Sequence, residues 1–162
     1  MKHPLRSSIA LAAWVFASTV SASADVVTVR KEITLDGAQR VIAAALAAEK
    51  AAGSHGAVAV VDAGGNVIAV ASADGTFPQA AEVAIGKAHT AAVFRKDTSF
   101  FENSINSGRT TLVAMRNFTP LQGGVLIRVG GEVVGAVGVS GTASQQQDEE
   151  VAKAGAAALG AQ

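Results

Sequence analysis

The side chains whose types and spacing bear on chemistry are His55 and His89, the cations Lys87, Arg95, Lys96 and Arg109, and the oxygen-bearing Asp62 and Ser140. His89 falls beside Ile85 on the flank of a predicted apolar helix stripe, at about 100° per residue, and not on the solvated back of that helix. An imidazole so placed either offers a neutral nitrogen to a metal or stands at the core boundary bonded to a neighbouring loop. His55 lies between Gly53 and Gly56 in a helix-to-strand connection. Such connections are usually exposed, which favours a solvated histidine, although the glycines leave room for a planar ligand.

Lys87, Arg95, Lys96 and Arg109 suit carboxylate partners, since ammonium and guanidinium groups pair with them. The alternative for each is a solvated side chain on a helix face. Asp62 precedes Gly64-Gly65. A short carboxylate there is expected to bond its own turn backbone, with catalysis the lesser reading. Ser140 misses the G-x-S-x-G spacing by one residue, and no histidine follows it as a base. Metalloprotease, C-x-x-C, phosphate-loop and dinucleotide-binding patterns are absent. With no cysteine, His55 and His89 are a weak zinc signal.

Several elements must hold these residues. Leu35, Ala38, Val41, Ile42, Ala45 and Leu46 follow helical spacing, predicting a helix to Ala52 with Thr34 as N-cap and Gly53 as its stop. Ala57 to Val61 and Val67 to Ala71 flank the turn around Gly64-Gly65 and read as a hairpin. A second helix is predicted from near Pro78 to Phe94, with a stripe of Ala81, Ala84, Ile85, Ala88 and Ala92. Ser99 and Glu102 suggest a capping box for a short third helix to Asn106.

Thr111 to Arg116 reads as a short strand, and Val125 to Val129 with Glu132 to Ser140 as a hairpin closed by Gly130-Gly131. Gly135, Gly138 and Gly141 mark the approach of another backbone or a flat ligand. The last helix runs from Ser144 to Leu159, with Ser144 and Gln147 at its start. Hairpins joined by helices imply a mainly antiparallel sheet covered by helices.

Lys2 and Arg6, an apolar run from Ile9 to Ala17 and Ala22-Ser23-Ala24 form a secretory signal with an A-x-A cleavage site. The expected mature chain is a single domain of residues 25–162, periplasmic or secreted. The apolar run is short of the roughly 20 residues that span a bilayer, so no membrane attachment is expected after cleavage. The chain carries 13 basic and 13 acidic residues, and losing Lys2 and Arg6 leaves it slightly acidic. That balance argues against generic nucleic-acid or anionic-membrane binding. Abundant alanine and glycine, no tyrosine and few large aromatics favour close packing of flat helical faces, including against copies of the chain, so a homo-oligomer is expected.

The blocks Ala59-Val60-Val61-Asp62-Ala63-Gly64-Gly65, Asp74-Gly75, Gly86-Lys87-Ala88-His89-Thr90-Ala91, Phe94-Arg95, Pro120-Leu121-Gln122-Gly123-Gly124-Val125 and Val134 to Gly141 together resemble the GlcG/HbpS family of haem-binding domains. The resemblance implies an α/β (α+β) class, profilin-like α-β-α sandwich with an antiparallel sheet of about five strands. It also implies symmetrical oligomers, and haem as the ligand ahead of another tetrapyrrole or a corrinoid. His89 then becomes the expected iron ligand, with His55 behind it, and Lys87 and Arg95 the expected propionate partners. Some members supply the haem ligand near the start of the first helix, but Val27 to Gln39 holds no histidine here. The expected role is haem buffering, transfer or redox sensing. The rival readings are an enzyme on a small carbonyl or carboxylate metabolite using His89, Lys87 or Asp62, and a structural oligomer without ligand.

Overall fold

The computed structural model describes residues 28–160. The proposed leader and its cleavage site lie outside the described residues. Helix α1 (Leu35–Ala51) leads into strands β1 (Ala57–Asp62) and β2 (Val67–Ser72), then helices α2 (Ala80–Phe94) and α3 (Thr98–Asn106). A 3-10 turn (Thr110–Ala114), strands β3 (Gly124–Val129) and β4 (Glu132–Ser140) and helix α4 (Gln145–Gly160) complete the order. The strands form one antiparallel sheet in the order β2-β1-β4-β3.

Local chemistry explains the element ends. Thr34 Oγ1 accepts from Gly37 N at 3.1 Å and starts α1, while Gly53 turns away at φ +64°. Asp62 Oδ1 accepts from Gly64 N and Asn66 N at 2.8 and 2.9 Å, so this aspartate builds the β1–β2 turn as expected. Gly130 and Gly131 both take positive φ, the requirement of a tight two-residue hairpin. At α4, Ser144 Oγ accepts from Gln147 N, and Gln147 Oε1 accepts from Ala143 N.

Helices cover both faces of the sheet. On one face α1 and α4 pack over Val58, Val60, Val137 and Val139. On the other, α2 sets Ala84, Ala88, Ala91 and Ala92 against Ala59, Val61 and Ala136. The glycines of β4 and β3 make that second contact possible. A Cβ on Gly138 would overlap Ala84 O, and one on Gly124 would lie 2.5 Å from Lys87 O. The close approach marked by Gly138 is therefore that of α2's backbone, and Gly135 similarly receives β1 at Val61 O.

Three sequence expectations change. Thr111 to Arg116 forms no strand; Thr110–Ala114 is a 3-10 turn, leaving four strands among the described residues and not about five. The physical reason lies at the edge of β3, where Leu126 N donates to Asp97 Oδ1 and Gly124 N to Thr98 Oγ1, so no edge is free there for a fifth strand. The Ser99–Glu102 capping box is also replaced. Asp97 is the N-cap residue of α3, and Glu102 accepts from Gln122 N instead. Finally, the buried face of α2 is rotated to include Lys87 and Ala91, leaving Ala81 and Ile85 half-buried.

Candidate functional site

Helix α2 and the segment before β3 form the walls of a cleft of about 300 Å³ lined by Glu82, Ile85, Gly86, His89, Asn117 and Thr119. Thr119 N donates to Thr90 Oγ1 at 2.8 Å, tying the segment to the helix. A side chain at Gly86 would overlap Thr119, so this glycine sets the closeness of the two walls. Phe118 stacks edge-on with Phe94 and Phe101, ring centres 5.1 Å apart in both pairs, anchoring the same segment. Asn117 takes a left-handed φ of 51° at the cleft wall.

His89 is half-buried, and its Nδ1 lies 3.0 Å from Gly65 O. A carbonyl only accepts, so this bond assigns a proton to Nδ1, and in the neutral ring the lone pair is then on Nε2. Gly65, at φ +87°, permits the contact; a Cβ there would sit 2.6 Å from Nδ1. The turn that Asp62 builds thus orients His89, and the boundary histidine and the potential ligand are one geometry. Orientation of one ring nitrogen by a carbonyl is how proteins prepare the other for a metal.

The remaining candidates do not converge on this cleft. His55 is exposed in a shallow cleft of about 230 Å³ with Gly53, Ser54, Gly141, Thr142 and Ala143, at the opposite end of β1 from Gly65 and His89. Arg95 is exposed beyond the last turn of α2, in left-handed conformation at its C-cap. Lys96 lies 4.7 Å over the Phe100 ring, and Arg109 is exposed before the 3-10 turn. Among the described residues no group of three or more histidine, cysteine, aspartate or glutamate side chains forms a metal cluster.

Lys87 requires a correction. Its side chain is not on the solvated face of α2 but 2% exposed, with Nζ 2.7 Å from Asp148 Oδ2 and 2.9 Å from Val139 O. Asp148 Oδ1 also accepts from Thr142 N and Thr142 Oγ1. The pair ties α2 to β4 and α4, and it leaves the ammonium committed inside the protein. A lysine within an otherwise alanine-rich helix gives no periodic signal of its partner, which lies 61 residues away.

Sequence reasoning also missed a buried carboxylate and a second cleft. Glu49 is 1% exposed; Oε2 accepts from Gly56 N at 3.2 Å while Oε1 has no partner. Burial, aided by the Asp148 charge, holds this carboxyl above its ordinary range against the opposing pull of the Gly56 N–H and His55. The second cleft, about 430 Å³, opens at the start of α1 over Ile33, Val129, Val134 and Leu159, with Lys31 and Arg40 among its lining residues. Lys31 pairs with Glu132 and Arg40 with Asp36, both at 2.6 Å and both exposed. Lys31 and Arg40 flanking the apolar Ile33 were the available sequence signal.

Residues 33–157 match the family model described as haem degrading protein HbpS-like. The chain belongs to the HbpS-like family. Protein GlcG of Escherichia coli K12 is 43% identical over 83 residues, 51% of this chain and 62% of GlcG, so the match spans less than two thirds of that relative. The crystal structure of a double mutant of Streptomyces reticuli HbpS superposes with a TM-score of 0.78 at 35% identity, covering 89% of this chain and 98% of that one. A crystal structure of a PduOC haem complex shares the fold at 21% identity, with a TM-score of 0.71 over 79% of this chain and 95% of the other. The sequence blocks of the GlcG/HbpS resemblance therefore mark membership, and haem-related binding stands as a property of the HbpS-like family.

Proposed function

We propose that this chain is an exported haem-binding protein that acts in haem buffering, transfer or redox sensing, with His89 Nε2 as its iron ligand. The observation that carries the reading is the Nδ1 bond of His89 to Gly65 O, which selects the tautomer whose Nε2 carries the lone pair in the neutral ring and directs that nitrogen away from Gly65. The donor chemistry fits, because neutral imidazole is a common protein ligand for haem iron. When bound, haem would supply a redox-active iron whose potential depends on its axial ligand and surroundings. The protein's part is to hold the imidazole through Gly65, to wall one side with Ile85 and Gly86, and to keep the other wall in place through Thr90 and Thr119.

At about 300 Å³ the cleft is at the small end of ligand pockets, so it seats part of a macrocycle and leaves the propionate edge outside. Arg95, which lies outside the cleft at the C-cap of the same helix, is the proposed partner for that protruding edge. A second location is favoured by a separate observation, the apolar floor and paired cations of the cleft at α1. Its exposed ion pairs are weak and yield readily to a competing carboxylate, but no histidine or cysteine lines it. The enzyme reading has less support, since Lys87 is buried in its ion pair and Asp62 is consumed by its turn.

The test is a haemin titration followed by absorbance, with circular dichroism as the folding control. The wild-type chain should develop a Soret band, His89→Ala should lose or shift it, and His55→Ala should change little. Arg95→Ala should weaken affinity without moving the band. Loss of binding on Lys31→Ala with Arg40→Ala, and not on His89→Ala, would move haem to the α1 cleft. A wild-type chain that takes up no haemin sinks the proposal.

A further inference from the structure

Helix α2 carries one row of side chains past the end of its cleft. Glu82, Ile85 and His89 line the cleft, and Val93, one turn beyond His89, continues the same face. Val93 is 40% exposed, yet it rests on the same turn as His89: a Cβ on Gly65 would lie 2.8 Å from Val93 Cγ1 and 2.6 Å from His89 Nδ1. At 1.5 Å per residue, Val93 stands about 6 Å and Arg95 about 9 Å from His89 along the axis, with Glu82 about 10 Å away in the other direction.

Charge along this row is uneven. Glu82 lies in the first turn of α2, held by Gln79 Nε2 at 2.6 Å, whereas Arg95 follows the last turn. Neither makes an ion pair among the described residues. The N-terminal end of a helix attracts anions, and a carboxylate in its first turn cancels that attraction. Asp62, in the turn that holds His89, is engaged by Gly64 N, Asn66 N and Asn66 Nδ2.

We infer that Val93 extends the macrocycle's seat beyond the cleft and that Glu82 fixes the ring's direction, turning its carboxylate edge toward Arg95. The inference rests on the proposed function, with iron at His89. The cleft seats only part of the ring, and Val93 is the exposed apolar side chain next along the row for the part outside. Reversed, the propionates would stand on the Glu82 side, where like charges repel and the helix end offers no compensation. Turned the other way, they meet the Arg95 guanidinium.

Absorbance titrations of the full chain with haemin and with haemin dimethyl ester, whose propionates carry no charge, separate the two contributions, with circular dichroism as the folding control. Arg95→Ala should weaken haemin binding about two- to five-fold, the range of an exposed ion pair, and leave the ester unaffected. In a Glu82→Lys background the same change should cost almost nothing, since the edge can then turn to the cation at the opposite end. Val93→Ser should weaken haemin and ester alike, several-fold, with the Soret band in place because His89 remains. An Arg95→Ala loss that is absent, equal in both backgrounds or still present with the ester overturns the direction. An unchanged affinity in Val93→Ser overturns the extended seat, and if that variant disturbs folding, Val93→Ala decides. A wild type that takes up no haemin, or a His89→Ala variant with an unchanged spectrum, removes the reading of the site itself and this inference with it.

Discussion

Glu49 and Lys87 are both charged residues on amphipathic helices, yet both are buried more deeply than either histidine. Lys87 has its counter-charge in Asp148, whereas one oxygen of Glu49 has no partner. Burial above all, with the nearby Asp148 charge, raises the Glu49 carboxyl from its ordinary value of 4.5 despite the Gly56 N–H and His55. The folded chain therefore holds this proton more tightly than the unfolded chain does. Its stabilising contribution is full below the ordinary value, declines as pH rises from there through the raised value, and remains a constant cost above it. Glu49→Gln should accordingly be more stable than wild type at neutral pH and show a flatter stability profile across that window. Denaturant midpoints measured from acid to neutral pH check this, and parallel profiles for the two proteins would refute it.

Helix α2 is the element on which the candidate site depends, because it carries His89 on one flank and Lys87 on another. Its height above the sheet is set by Gly138 and Gly124, where only glycine admits the helix backbone. Gly138→Ala should force α2 outward against Ala84 O and cost about 3 kcal/mol, the upper range for overpacking a tight contact. The shift should also disturb the His89–Gly65 bond. Gly130→Asn is the matched control, since it lies in open space at a φ of 58° that asparagine tolerates, and should cost within about 0.5 kcal/mol. Thermal or denaturant unfolding of the two variants gives the comparison; equal losses would mean that α2 does not rest on Gly138.

For the whole molecule, the layered arrangement closes around one sheet without any cysteine, and among the described residues no helix is long and apolar enough to cross a membrane. Export is the proposal that joins this domain to a location, and it rests on the residues from Lys2 to Ala24. The exported product should begin at Asp25, which intact-mass measurement tests directly. A product that retains Trp14 in the membrane fraction would contradict it.

Periodicity and turn chemistry in the sequence by themselves determined the four long elements that frame the site, and they did so because each signal is local. Thr34 and Gly53 bound α1, Asp62 to Asn66 make the first hairpin turn, and Gly130-Gly131 make the second within a few residues of their partners. The family was legible for a related reason, as its blocks record those turns and close approaches in chain order. Tertiary structure alone decided the rest. Whether Lys87 faced solvent depended on Asp148, whether Thr111 to Arg116 became a strand depended on Asp97 and Thr98 occupying the sheet edge, and which nitrogen of His89 was free depended on Gly65. Each of these outcomes is set by a bond between residues more than twenty positions apart, which no spacing rule along the chain encodes.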